Sequence, residues 1–123
     1  MSYGRAVQQE LRAPAAALRA AIPDVYDGYR RMHSAVFRTG ALDAKTKELI
    51  ALALAVSKEC DGCIASHARG AARNAATAEE VAEALGVAIA MNGGPATVYG
   101  PRAFAAFQEF ADSEQPRAGS GPA

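Results

Sequence analysis

Three observations predict an all-α fold for this chain, built from about six helices. No segment sustains the period-two alternation rich in Val, Ile and aromatic residues that marks a half-buried strand. Apolar residues recur at helical spacing instead, as in Val25, Tyr29, Met32, Val36 and Phe37. Residues that start and stop helices also fall between the periodic segments, with Asp43 and Thr77 as caps and Thr39-Gly40 and Gly93-Gly94 as breaks.

Taken in order, a first helical stretch covers Tyr3 to Arg12, with Pro14 opening a second short turn. Asp24, after Pro23, is placed to N-cap a helix running to about Arg38. Asp43 caps the next helix, which carries Lys45 to Val56. Another starts within or just after the Cys60–Cys63 turn and runs to about Asn74. Thr77-Ala-Glu-Glu80 reads as a capping box, in which hydroxyl and carboxylate each satisfy an end-turn N–H, and opens a helix to about Asn92. Pro95 suits the first turn of a last helix. Pro101 lies about two turns further in, where a lost ladder bond and a ring clash predict a kink or a break. Phe104, Phe107 and Phe110 share one face of that helix and read as core. Residues 1–112 form a single domain, and the tail from Ser113, SEQPRAGSGPA, reads as disordered.

The 123 residues suffice for one core but not two. Lys plus Arg and Asp plus Glu balance at 13 each, so no excess charge points to nucleic acid. No apolar run reaches the roughly 18–20 residues of a membrane span. The opening MSYGRAVQQELR lacks the apolar core of a signal peptide, which makes the cytoplasm the expected compartment. Thiols are kept reduced there, and a close cysteine pair is then more often catalytic or metal-binding than a staple. Two helical segments, Leu49 to Val56 and Ala84 to Met91, have no polar residue at all. A small domain cannot bury both on every side, so their outer faces are expected to meet other copies in a homo-oligomer.

The chemistry concentrates in Glu59-Cys-Asp-Gly-Cys-Ile-Ala-Ser-His67. In regular helix, Cβ atoms three apart lie about 5–6 Å from each other, too far for a disulfide's roughly 3.8 Å. Gly62 permits an irregular helix start at which Cys60 and Cys63 can close. That same position is the positive end of the helix, where thiolate is stabilised. His67, one turn beyond Cys63, can accept the thiol proton. Together these outline a centre that reduces peroxide or exchanges disulfides. Inert core thiols are one alternative. A zinc site is another, but its four ligands would have to include distant His33 or Glu48 beside Cys60, Cys63 and His67. A thioredoxin-type fold would need a βαβ context that is lacking. Glu48 can orient His67 only if the helix before the cysteines ends near Val56–Ser57, because a helix running straight to Cys60 would carry Glu48 out of reach.

The pattern Glu48-x11-Cys60-x-x-Cys63-x3-His67 resembles the core of the alkylhydroperoxidase D (AhpD)-like branch of the carboxymuconolactone decarboxylase family. Leu42 to Ala55 is similar to that family's helix leading into the site. Thr77 to Glu80 is similar to its next capped helix, and Met91-Asn-Gly-Gly-Pro95 to its Gly-Gly-Pro turn; the resemblance spans roughly residues 24–112. It implies a compact helical fold, trimeric or hexameric, with thiol peroxidase or disulfide reductase activity and a hydroperoxide as substrate. An external dithiol or thioredoxin-like protein would be the reductant, and no cofactor is called for. By the same resemblance Glu48 would orient His67, His67 would deprotonate Cys63, and Cys60 would resolve the sulfenic acid. The best-known members carry a histidine just before the second cysteine, where this chain has Gly62. Decarboxylases of the family lack the cysteine pair, which argues against lactone decarboxylation here. The alternatives are a non-redox enzyme using His67 and Glu48 for acid–base work, and an oligomeric redox sensor.

Overall fold

The computed structural model describes residues 2–114, and among them six helices follow one another with no strand. These are α1 (Arg5–Ala21), α2 (Pro23–Phe37), α3 (Ala44–Ser57), α4 (Asp61–Arg73), α5 (Ala78–Asn92) and α6 (Gly94–Glu114). Helices α3 to α6 enclose the core, with α4 packed most extensively on α6 and α3. Leu52, Val56, Ile64, Val81, Phe107 and Phe110 are its large, fully buried side chains. Around them Ala68, Ala71, Ala72, Ala103 and Ala106 let the helix backbones approach closely. By contrast, α1 and α2 contain no buried residue. Helix α1 lies across α4 and α6, while α2 packs on α1 and α3 and reaches α4 through His33 and Phe37.

The caps form as their residues dictate. Asp43 accepts from the Thr46 N–H at 2.7 Å. Thr77 and Glu80 make both bonds of the capping box, at 3.1 and 2.8 Å. Lys45 reaches Glu80 at 2.9 Å and ties the start of α3 to the start of α5. Lys47 donates to the carbonyls of Val36 and Arg38, satisfying the open end of α2.

Several expectations are corrected. Pro14 does not divide the first helix: α1 runs unbroken from Arg5 to Ala21, exposed along its length, so water can satisfy the carbonyl that proline leaves unpaired. Pro101 does not break α6 either. The residue before a proline is driven out of helix by its own Cβ, and here that residue is glycine. Asp24 is not the cap of α2; Ile22 is, and Pro23 takes the first helical position, where a missing N–H costs nothing. Helix α6 continues through Ser113 to Glu114, with the Ser113 hydroxyl joined to Arg5 and to the Phe110 carbonyl. The rest of the expected tail, residues 115–123, lies outside the described residues. The two apolar helices, as expected, are buried on one side only within the chain. Ile50 and Leu54 on α3 and Val87 and Met91 on α5 face outward, Met91 at 80% exposure.

Candidate active site

The site is built where α3 reverses into α4. The Cys60 N–H bonds to the Ala55 carbonyl at 3.1 Å and the Glu59 N–H to the Val56 carbonyl at 3.0 Å. These are the two bonds of a Schellman stop, with Glu59 in the left-handed region at φ 53°. Helix α3 therefore ends at Ser57, which meets the condition for Glu48 to reach the following helix.

Cys60 is the N-cap of α4, in extended backbone, and its Sγ accepts the Cys63 N–H at 3.1 Å. The two sulfurs are bonded, with their Cα atoms 5.2 Å apart. Cys63 is exposed and Cys60 half-buried. Gly62 between them receives Leu11 of α1, whose Cδ1 would lie 3.2 Å from a Cβ at that position. At the first residue of α4, Asp61 lies 3.2 Å from Arg102 of α6, and this hydrogen bond raises the guanidinium's pKa. Arg102 in turn lies over the rings of Tyr99 and Tyr3.

One turn beyond Cys63, the His67 Nδ1 lies 3.2 Å from Glu48 Oε2. Both side chains are largely withdrawn from water, at 16% and 8% exposure. Where Nδ1 carries the hydrogen, the ring N–H donates and the carboxylate accepts, and a neutral ring then keeps its lone pair on Nε2. Cys63 and His67, with Ala51, Leu54, Ala55 and Lys58, line one depression of about 240 Å³. The four residues singled out in the sequence are linked in pairs between α3 and α4: Cys60 to Cys63 by the disulfide, Cys63 to His67 in the depression, and His67 to Glu48 by the hydrogen bond. Among the described residues no three His, Cys, Asp or Glu side chains are grouped to hold a metal ion.

The structure adds one feature to that set. His33, which the sequence offered only as a distant candidate zinc ligand, stacks on His67 with ring centroids 5.9 Å apart, and Phe37 stacks on both imidazoles. Four residues apart on α2, His33 and Phe37 share a helix face that roofs the imidazole. That spacing was the available signal, but nothing in the sequence says that α2 crosses α4 at this point.

An all-helical chain with a cysteine pair at a helix start and a Glu–His pair one turn on is the kind of protein this fold and site define. The family profile of carboxymuconolactone decarboxylases matches residues 23–112, and the chain belongs to that family. It is 43% identical to a carboxymuconolactone decarboxylase family protein from Legionella pneumophila, whose apo crystal structure superposes with a TM-score of 0.80 over 84% of this chain and 92% of that one. An uncharacterised protein of Cupriavidus necator is 41% identical over 80% of this chain and 87% of its own length. Uncharacterised protein 4 in the cox locus of Paracoccus denitrificans is 41% identical over 68% and 76%.

Proposed function

We propose that the protein is a thiol-dependent hydroperoxidase of the AhpD-like kind. The observation that carries this reading is the shared depression, in which exposed Cys63 lies beside an imidazole whose other nitrogen is engaged by a buried carboxylate. In the reduced protein, His67 Nε2 takes the Cys63 proton, directly or through a water. The thiolate attacks the terminal oxygen of ROOH and the O–O bond breaks. The alkoxide leaves as ROH with the proton from His67, and Cys63 becomes a sulfenic acid. Cys60 sulfur then attacks Cys63 sulfur, the Cys60 proton and the sulfenic hydroxyl leave as water, and the disulfide closes. The sum is ROOH plus two thiols giving ROH, water and a disulfide.

An external dithiol restores the thiols by attacking exposed Cys63. The departing Cys60 thiolate is the better leaving group because it caps α4, where backbone N–H groups and the helix dipole stabilise negative charge. Working as a reductase of peroxide suits a thiol-reducing compartment such as the cytoplasm. The outward apolar faces of α2, α3 and α5 support assembly as a homo-oligomer, a trimer or hexamer. No helix among the described residues is long and apolar enough to cross a membrane.

The test is hydroperoxide-dependent oxidation of a dithiol by the wild-type protein and by Cys60→Ser and Cys63→Ser. The reading expects turnover in the wild type alone. Lactone or carbonyl turnover that survives both substitutions would replace it with acid–base chemistry by His67 and Glu48.

A further inference from the structure

Gly70 sits inside α4, one turn beyond His67, among the buried alanines Ala65, Ala68, Ala71 and Ala72. Its backbone dihedral is not in the left-handed region, so nothing in its conformation asks for glycine. Alanine is the better helix former at such a position. What the site asks for is room. A Cβ built on Gly70 would lie 1.7 Å from Glu48 Oε2, 2.3 Å from its Cδ and 2.9 Å from Oε1. The Glu48 carboxylate therefore occupies the volume that a side chain at position 70 would fill. From there Oε2 meets His67 Nδ1 at 3.2 Å.

We infer that Gly70 is a positioning residue: by carrying no side chain it forms the seat that holds the Glu48 carboxylate against His67. The same oxygen makes both contacts, so they are coupled. A methyl group at position 70 cannot coexist with Oε2 where it stands. The carboxylate is the free end of a flexible side chain, whereas the neighbouring backbone belongs to two packed helices. The carboxylate is what must move, and moving it takes the acceptor from His67. The imidazole then loses the contact that favours hydrogen on Nδ1 and the lone pair on Nε2. The consequence for turnover rests on the hydroperoxidase reading above, but the seat itself does not.

The variants are Gly70→Ala, Glu48→Ala and the two combined. The tautomer of His67 is read from ¹⁵N ring resonances of the full-length protein, with His67→Gln assigning the signals, and peroxide turnover is measured alongside. In the native protein His67 is expected to show a protonated, hydrogen-bonded Nδ1. Gly70→Ala is expected to abolish that signature and to lower kcat by about 10²-fold, as Glu48→Ala does. In the Glu48→Ala background the seat is empty, so Gly70→Ala is expected to cost no further activity and to raise Tm. Should Gly70→Ala alone fail to fold, the double variant still decides. A lower Tm than Glu48→Ala overturns the inference, because a methyl group with no carboxylate to displace should not harm the fold. Retention of the Nδ1 signature in Gly70→Ala also overturns it. If the signature is lost in Gly70→Ala but the native protein never reduces peroxide, the seat stands and the hydroperoxidase reading falls.

Discussion

At the scale of single residues, the two cysteines are not equivalent. Cys63 faces the depression and Cys60 faces the helix start. In the Cys60→Ser variant, one equivalent of peroxide is expected to leave Cys63 as a sulfenic acid, a gain of one oxygen by mass, with no disulfide. Cys63→Ser is expected to stay unmodified under the same treatment, and oxidation at Cys60 instead would reverse the assignment. Glu48→Gln keeps the shape of the side chain but leaves His67 Nδ1 without an anionic partner. A fall in kcat of about 10²-fold with little change in Tm is expected if the carboxylate acts through charge. The grouping of Cys60, Cys63 and His67 was legible from their spacing, because a helix brings positions three and four apart onto one face, whereas the reach of Glu48 depended on where α3 ends. Gly70 was not, since room for a carboxylate from another helix leaves no periodic trace.

At the scale of elements, caps were read well and proline positions poorly. Asp43 and Thr77–Glu80 act within a few residues of themselves, so local chemistry decides them. Pro14 and Pro101 are decided by surroundings: open water along α1, and a preceding glycine in α6. The helix stops hold a further consequence. Ala75, with φ 61°, closes α4 in the left-handed region through its Ala72 carbonyl bond at 3.1 Å, while Ala76 bonds to Ala71 at 3.0 Å. A Cβ in that region costs roughly 1–2 kcal/mol, part of which glycine returns as unfolded-state entropy. Ala75→Gly should therefore stabilise the protein by roughly 0.5–1 kcal/mol in urea unfolding. A destabilised variant would refute the Schellman account of this turn.

Across the whole molecule, the start of α1 is joined to α6 through Glu109. Burial by itself would raise its pKa, but hydrogen bonds from the Ser2 hydroxyl and the Arg5 N–H, with the Arg5 charge, hold it below the ordinary 4.5. Asp43 and Glu80 are lowered as well, first by their hydrogen bonds with Thr46 and Lys45. A carboxylate whose folded pKa is depressed adds stability above its unfolded value and loses it as pH falls through the folded one. Tm should hold steady above pH 4.5 and decline below it, and Glu109→Gln should make that decline shallower. The exposed faces raise a second expectation at this scale. Val25, Tyr29, Met32 and Val36 line one side of a helix that has no fully buried residue within its own chain. Met32→Glu is expected to shift the particle to a smaller mass in analytical ultracentrifugation. An unchanged mass, or a monomeric native protein, would leave that stripe unexplained. The all-α class was plain in the sequence, whereas the placement of α1 and α2 outside the core was not, because amphipathic patterning marks an apolar stripe without naming what covers it.

The sulfur of Cys60 holds a second post as the first acceptor of α4, which separates two injuries that mutagenesis usually confounds. Serine fills that post nearly as well as sulfur, whereas alanine vacates it at a cost of about 1 kcal/mol. Two inert variants at one position should then differ in how readily they melt while agreeing in having no redox cycle.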